Sequence, residues 1–135
     1  MSPLEELEIL KLVAERLEAN NIPYMVSGSI ALSFYAQPRM TRDIDIVVEL
    51  SSPILSEKFS QMFAEDFYVD KAMIEHAIQL KGMFNIIHSE KFIKVDFIVK
   101  KNAPFRTIEF ERRKKNATEQ FSFFIVSPEI GRAHV

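Results

Sequence analysis

Leu4, Leu7, Leu10, Val13, Ala14 and Leu17 recur at three- and four-residue intervals against Glu5, Glu8, Lys11, Glu15 and Glu18, one apolar and one charged stripe that predict an amphipathic helix. Ser2-Pro3-Leu4-Glu5 sets its start: a hydroxyl cap, a proline where no N–H is needed, and a glutamate placed to reach back to the cap. The helix should end near Asn20-Asn21. Residues 22–26, with Pro23 near their start, form a short apolar strand, which Ser27-Gly28-Ser29 breaks before a small-residue helix over 30–35. Asp43-Ile44-Asp45-Ile46-Val47-Val48 is a second strand whose first four positions alternate strictly.

Ser52-Pro53 predicts another capped helix, with Ile54, Leu55, Phe59, Met62 and Phe63 as its buried face and an end before Phe67. Tyr68-Val69 is a short extended piece. Asp70 caps a helix carrying Ala72, Met73, His76, Ala77 and Leu80, which Gly82 stops. Strands over 83–87 and 92–99 flank a polar turn at 88–91, a length that suits a hairpin. Beyond Pro104, strands are expected over 108–112 and 121–126, around a basic, polar turn at 113–120. No internal repeat or linker appears. The expected fold class is α/β of the α+β kind: one domain with a mixed β-sheet flanked by helices.

Composition changes this picture mainly by exclusion. The 135 residues suit one domain, and 47% hydrophobic with 27% charged residues describes a globular core. Cys is absent, which removes disulfides, thiolate metal sites and a cysteine nucleophile. The three glycines, Gly28, Gly82 and Gly131, are too scattered for a dinucleotide fingerprint or a P-loop. No apolar run is long enough for a membrane span, and an N-terminus that opens with acids is unlike a signal peptide, so a cytoplasmic location is expected. A net charge of -2 gives no global pull toward nucleic acid; the basic cluster at 112–115 is either a solvated face or a phosphate contact. No His pair has metalloprotease spacing, so His76 and His88 receive no role. The 12 phenylalanines and 6 methionines fall mostly on expected core faces.

Asp43 and Asp45, two apart in a strand, leave the same face of the sheet about 7 Å apart, while Ile44 and Ile46 enter the core. Taken alone, the pair fits equally an edge strand that uses acids to block pairing. Two adjacent acids repel unless a cation offsets them, and hard divalent cations prefer carboxylate oxygen. Asp96, in Lys94-Val95-Asp96-Phe97-Ile98, repeats the design and would complete a three-carboxylate site if its strand lies beside the first. Gly28-Ser29 stands at a strand-to-helix turn, where backbone N–H groups can meet an anion. Acids for a metal and a cradle for phosphate together point to phosphoryl or nucleotidyl transfer.

Val26-Ser27-Gly28-Ser29, then Thr41-Arg42-Asp43-Ile44-Asp45-Ile46, then Val95-Asp96-Phe97, in that order, resemble the signature of the DNA polymerase β-like nucleotidyltransferase superfamily. The sequence is similar in particular to its small bacterial branch, the minimal and abortive-infection-type nucleotidyltransferases, several of which are toxins paired with antitoxins. The resemblance covers roughly residues 23–129. It implies an enzyme that uses an NTP and Mg²⁺ (or Mn²⁺) to move a nucleoside monophosphate to RNA, protein or a small molecule. It further implies that Gly28 and Ser29 hold the triphosphate, that Asp43 and Asp45 bind both metals, and that Asp96 binds the catalytic metal and assists deprotonation of the acceptor. Arg39 and Arg42 are candidate phosphate contacts that the family pattern does not fix. The alternative is an inactive module of the same fold that binds a protein partner, such as an antitoxin.

Ser127-Pro128-Glu129 should open a new helix, yet the chain continues only with Ile130-Gly131-Arg132-Ala133-His134-Val135. That hexapeptide is also what a common sequencing adapter encodes in one frame. The expectation is a nucleotidyltransferase-like domain over 1–129, truncated at its C-terminus, followed by a non-native tail over 130–135. In the resembled family, helices beyond this point help to enclose the nucleotide.

Overall fold

The computed structural model describes residues 3–27, 43–117 and 122–127. The helix expected at 30–35 and the tail at 130–135 lie outside these residues. Helix α1 (Pro3–Ala19) begins and ends as its stripe predicts, with Leu10, Val13, Ala14 and Leu17 fully buried. Asn21 takes a left-handed conformation (φ 57°), which lets the Ile22 N–H close the helix end on the Leu17 carbonyl at 2.9 Å.

Strands β1 (Tyr24–Ser27) and β2 (Asp43–Val48) follow, then α2 (Leu55–Phe63), β3 (Phe67–Tyr68), α3 (Lys71–Leu80), β4 (Met83–His88) and β5 (Lys94–Val99). Helix α4 (Pro104–Glu111) and strands β6 (Lys114–Ala117) and β7 (Ser122–Ile125) complete the order. Among the described residues the seven strands form one mixed sheet in the order β3-β4-β5-β2-β1-β7-β6. The β2–β5 and β1–β7 pairs are parallel and the others antiparallel. This is the expected mixed fold. No described helix is long and apolar enough to cross a membrane.

One face of the sheet is sealed by aromatic packing. Ile44, Ile46, Val95, Phe97 and Phe84 are buried there, and Phe59 of α2 meets Phe84 and Phe97 edge-on at 5.3 and 5.0 Å. Phe63 meets Phe67 edge-on at 5.4 Å. Arg16 ties α1 to the loop after α2: its guanidinium bridges both Asp66 oxygens at 2.8 and 2.6 Å and donates to the Met62 carbonyl. The paired charges hold the Asp66 carboxyl below the usual range, chiefly through this hydrogen bond.

Several expectations need correction. Ile54 is 81% exposed, because 53–54 form a turn and α2 starts only at Leu55, with no side-chain cap. Helix α3 is capped as expected, Asp70 accepting from the Met73 N–H at 3.2 Å, but its buried face is Ile74, Ala77 and Ile78; His76 and Leu80 face solvent. The left-handed residue at its end is Lys81 (φ 53°), one before Gly82, whose N–H closes on the Ala77 carbonyl. Residues 108–112 do not form a strand. Pro104 presets the first turn of α4, and Ile108 is half-exposed where Glu109 and Phe110 are buried, a helical pattern. Residues 114–117 of the expected turn are strand β6, which pairs with β7 and lies at the sheet edge among the described residues.

The basic cluster at 112–115 is partly absorbed by the fold. Arg113 lies over Phe110 and Phe124 at 4.3 and 4.8 Å and donates to the Phe110 carbonyl. Lys115 pairs with Glu18 at 3.2 Å. His88, expected in the hairpin turn, is the last residue of β4; it is buried, and its Nδ1 accepts from the Glu90 and Lys91 N–H groups of the turn.

Phe97→Ala should lower the unfolding free energy by about 3–5 kcal/mol in urea denaturation, since it empties a site ringed by Phe59, Phe63 and Phe84. Ile54→Ser should stay within about 0.5 kcal/mol of wild type in the same measurement, as befits an exposed side chain.

Candidate functional site

The open face of the sheet carries the acids. Strand alternation sends Ile44, Ile46, Val95 and Phe97 into the core, and therefore sends Asp43, Asp45, Lys94 and Asp96 the other way. Parallel pairing of β2 with β5 sets Asp45 directly opposite Asp96 and Asp43 opposite Lys94. Neighbouring strands are about 4.8 Å apart, so two carboxylates distant in sequence become side-by-side neighbours. The structure thus sets all three acids singled out by the sequence on one face, with Asp45 and Asp96 in direct register, and an edge-strand role for Asp43 and Asp45 is excluded, since β2 lies between β5 and β1.

Exposure grades across the group. Asp43 is open to solvent, Asp45 is half-buried and Asp96 is only 8% exposed. Burial, then repulsion from Asp96 and Asp43, pushes the Asp45 carboxyl up to about 6, and a side-chain hydrogen bond with Asp96 adds to the shift. Lys94 acts in the opposite sense. Its ammonium lies 3.6 Å from Asp96 Oδ2.

Two further polar residues share the row. Antiparallel pairing places Asn85 of β4 opposite Asp96 and Ser27 of β1 opposite Asp45. Asn85, Asp96, Asp45 and Ser27 therefore run across four adjacent strands on one face. Sequence reasoning missed Asn85 and Lys94. The signal was present: Asn85 is a polar position between buried Phe84 and Ile86, and Lys94 stands two before Asp96 and so on its face.

Gly28, Ser29, Arg39 and Arg42 lie outside the described residues. Ser27, the residue before Gly28, is the one in register with Asp45. Among the described residues no three acidic or histidine side chains close around a single point as a ready metal site. The donor chemistry nonetheless fits a hard divalent cation: oxygen ligands only, crowded enough to raise the affinity of Asp45 for a proton, which a bound cation would displace.

No family model matches the sequence, and no curated protein matches it. Solved structures do match. A Thermotoga maritima protein described as a nucleotidyltransferase superposes with TM-score 0.65 at 15% identity, over 99% of this chain and 84% of that one. An antigenic nucleotidyltransferase-like protein from Paracoccidioides brasiliensis gives 0.67 at 18%, over 97% of this chain and 64% of that one. The lincosamide antibiotic adenylyltransferase LnuA, with lincomycin bound, gives 0.59 at 14%, over 98% and 85%. The chain has the fold that these nucleotidyltransferases share.

Asp45 makes the metal-free protein sensitive to pH. A carboxyl at about 6 in the folded state, against ~3.9 when unfolded, adds stability that is complete below the unfolded value and lost as pH rises through the folded one. Thermal melts in chelator should therefore show Asp45→Asn gaining on wild type between pH ~4 and pH ~6 and holding that gain above. A difference between the two proteins that stays constant over that window would contradict the raised carboxyl.

Proposed function

We propose that this chain is a metal-dependent nucleotidyltransferase domain that moves a nucleoside monophosphate from an NTP to an acceptor hydroxyl. The observation that carries the reading is the register of Asp45 with Asp96 on the open face, in one row with Ser27. The shared fold with nucleotidyltransferases supports it. In the reaction, the acceptor oxygen bonds to the α-phosphorus, the α–β phosphoanhydride bond breaks, and pyrophosphate leaves with the electron pair.

The residues divide the work by environment. Asp96, the most buried of the three acids, would accept the proton of the acceptor hydroxyl as its oxygen attacks. Asp43 and Asp45 would hold Mg²⁺ or Mn²⁺, with Asp96 as third ligand. When bound, the cation pair supplies charge stabilisation at the attacking and leaving oxygens. Lys94 keeps the acid row partly neutral without metal and, on its flexible stem, is free to turn toward incoming phosphate. Gly28, Ser29 and Arg42 are the proposed contacts to the triphosphate.

Titration calorimetry with Mg²⁺ and each NTP should show binding that Asp43→Asn weakens at least about tenfold, a loss of one charged ligand contact. Binding unchanged by that substitution would refute the site. With α-labelled NTP and candidate acceptors, Asp96→Asn should cut label transfer by about 10²–10⁴, the range for a lost general base. Asp96-independent binding to a protein partner, without any transfer, would instead favour the non-catalytic role.

A further inference from the structure

The three acids sit where β2 and β5 begin; where the same strands end, the chain builds a site of opposite charge. A cavity of about 530 Å³ opens there, within the range of small-ligand sites. Its wall includes Lys58 of α2, Lys81 after α3, Lys100 after β5, and Asn102, against a single carboxylate, Glu49. Glu49 lies four residues beyond Asp45, about 13 Å along the strand. The cavity is thus separate from the acid row.

Lysines near helix ends often serve only to satisfy terminal carbonyls, and α1 and α3 both end at this rim. Here several of those carbonyls already accept from backbone N–H groups. At α3, Lys81 N–H donates to Ile78 and Gly82 N–H to Ala77; at α1, Asn20 N–H donates to Arg16 and Ile22 N–H to Leu17. Of the three ammonium groups, Lys58 alone donates to a helix-end carbonyl, that of Asn20 at 3.3 Å, which leaves it two further donors. Lys100 is the most telling. Its side chain is only 12% exposed, held near the Phe110 ring, yet its carboxylate neighbour Glu49 stays at 3.8 Å, beyond hydrogen-bond distance. A lysine whose side chain is so largely covered, with so loose a partner, is electrostatically suited to an incoming anion.

We propose that this cavity is a second ligand site, which takes a small phosphoryl anion through the ammonium groups of Lys58, Lys81 and Lys100 and the amide of Asn102. Three positive charges against one carboxylate leave a surplus that complements a phosphoryl anion, and the phosphoryl oxygens would replace the loose Glu49 contact of Lys100. The site does not depend on the transfer reaction proposed for the acids.

The test uses the whole chain in chelator, with amide nitrogen–proton spectra recorded as inorganic phosphate, pyrophosphate or ATP is added. Saturable shifts should appear at Lys81, Lys100 and Asn102. The double variant Lys58→Gln/Lys81→Asn should bind about tenfold more weakly. Lys58 is exposed, Lys81 is only partly covered and Asn tolerates the left-handed backbone at 81, so the variant should melt as wild type does. Lys100→Met should weaken binding likewise, and Asp45→Asn should leave it unchanged. Tighter binding of pyrophosphate than of ATP identifies a free anion as the occupant; the reverse identifies a nucleoside phosphate. The proposal falls if shifts are linear, if sodium chloride at equal ionic strength reproduces them, or if the lysine variants bind as wild type does.

Discussion

The parallel pairing of β2 with β5 is the constraint on which the rest of the chain is arranged. A parallel pair cannot be closed by a tight turn, so the connection must travel away from the sheet and return. Here it does so through α2, β3, α3 and β4, and α2 delivers Phe59 and Phe63 to the core face on the way. The same pairing sets the register that joins Asp45 to Asp96. A slip of one residue would turn these acids into the phenylalanine core and the isoleucines out to water, so the packing on one face enforces the geometry of the other. Site and core are two consequences of one alignment.

That alignment holds the acids at an electrostatic cost. Asp45 and Asp96 are near enough to share a hydrogen bond, and burial denies them the full solvent screening that Asp43 keeps. Lys94, from the same strand as Asp96, offsets part of the repulsion without closing the row. A row of acids that is crowded, partly dry and incompletely neutralised is a poor arrangement for stability alone. It suits the cation binding proposed for it, in which a divalent ion would supply the missing positive charge.

What the sequence made legible follows from where the signals were strong. The stripe of α1, the alternation from Asp43 to Ile46 and the apolar runs around 88–91 each repeat a period several times, and each became the expected element. Helix α4 was misread because Ile108 and Phe110 alternate over too short a stretch to distinguish the two periods, whereas Pro104 was the better signal. Strand β6 was missed because an edge strand satisfies one partner only and needs no apolar run. Ile54 looked like core because it adjoins the stripe of Leu55, Phe59, Met62 and Phe63, yet it lies in the turn before the helix begins and so off that stripe. At the site, Asp43, Asp45 and Asp96 were visible as acids among β-branched residues. Asn85 became visible only through the register of the β4–β5 hairpin, which no local pattern specifies.

Near-neutral total charge hid a second property of the fold. With a net charge of -2 the composition suggests no strong partner, yet the β2–β5 pair separates charge along its own length: carboxylates where the strands start, ammonium groups around the cavity where they end. Sums over a chain cancel what a sheet keeps apart. Because the parallel strands run in the same direction, residues that follow them, Glu49 and Lys100, are brought to one end as surely as Asp45 and Asp96 are brought to the other. The alignment that assembles an acidic row therefore also assembles the basic cavity, and the character of each is set by only a few residues that carry charge at the strand ends.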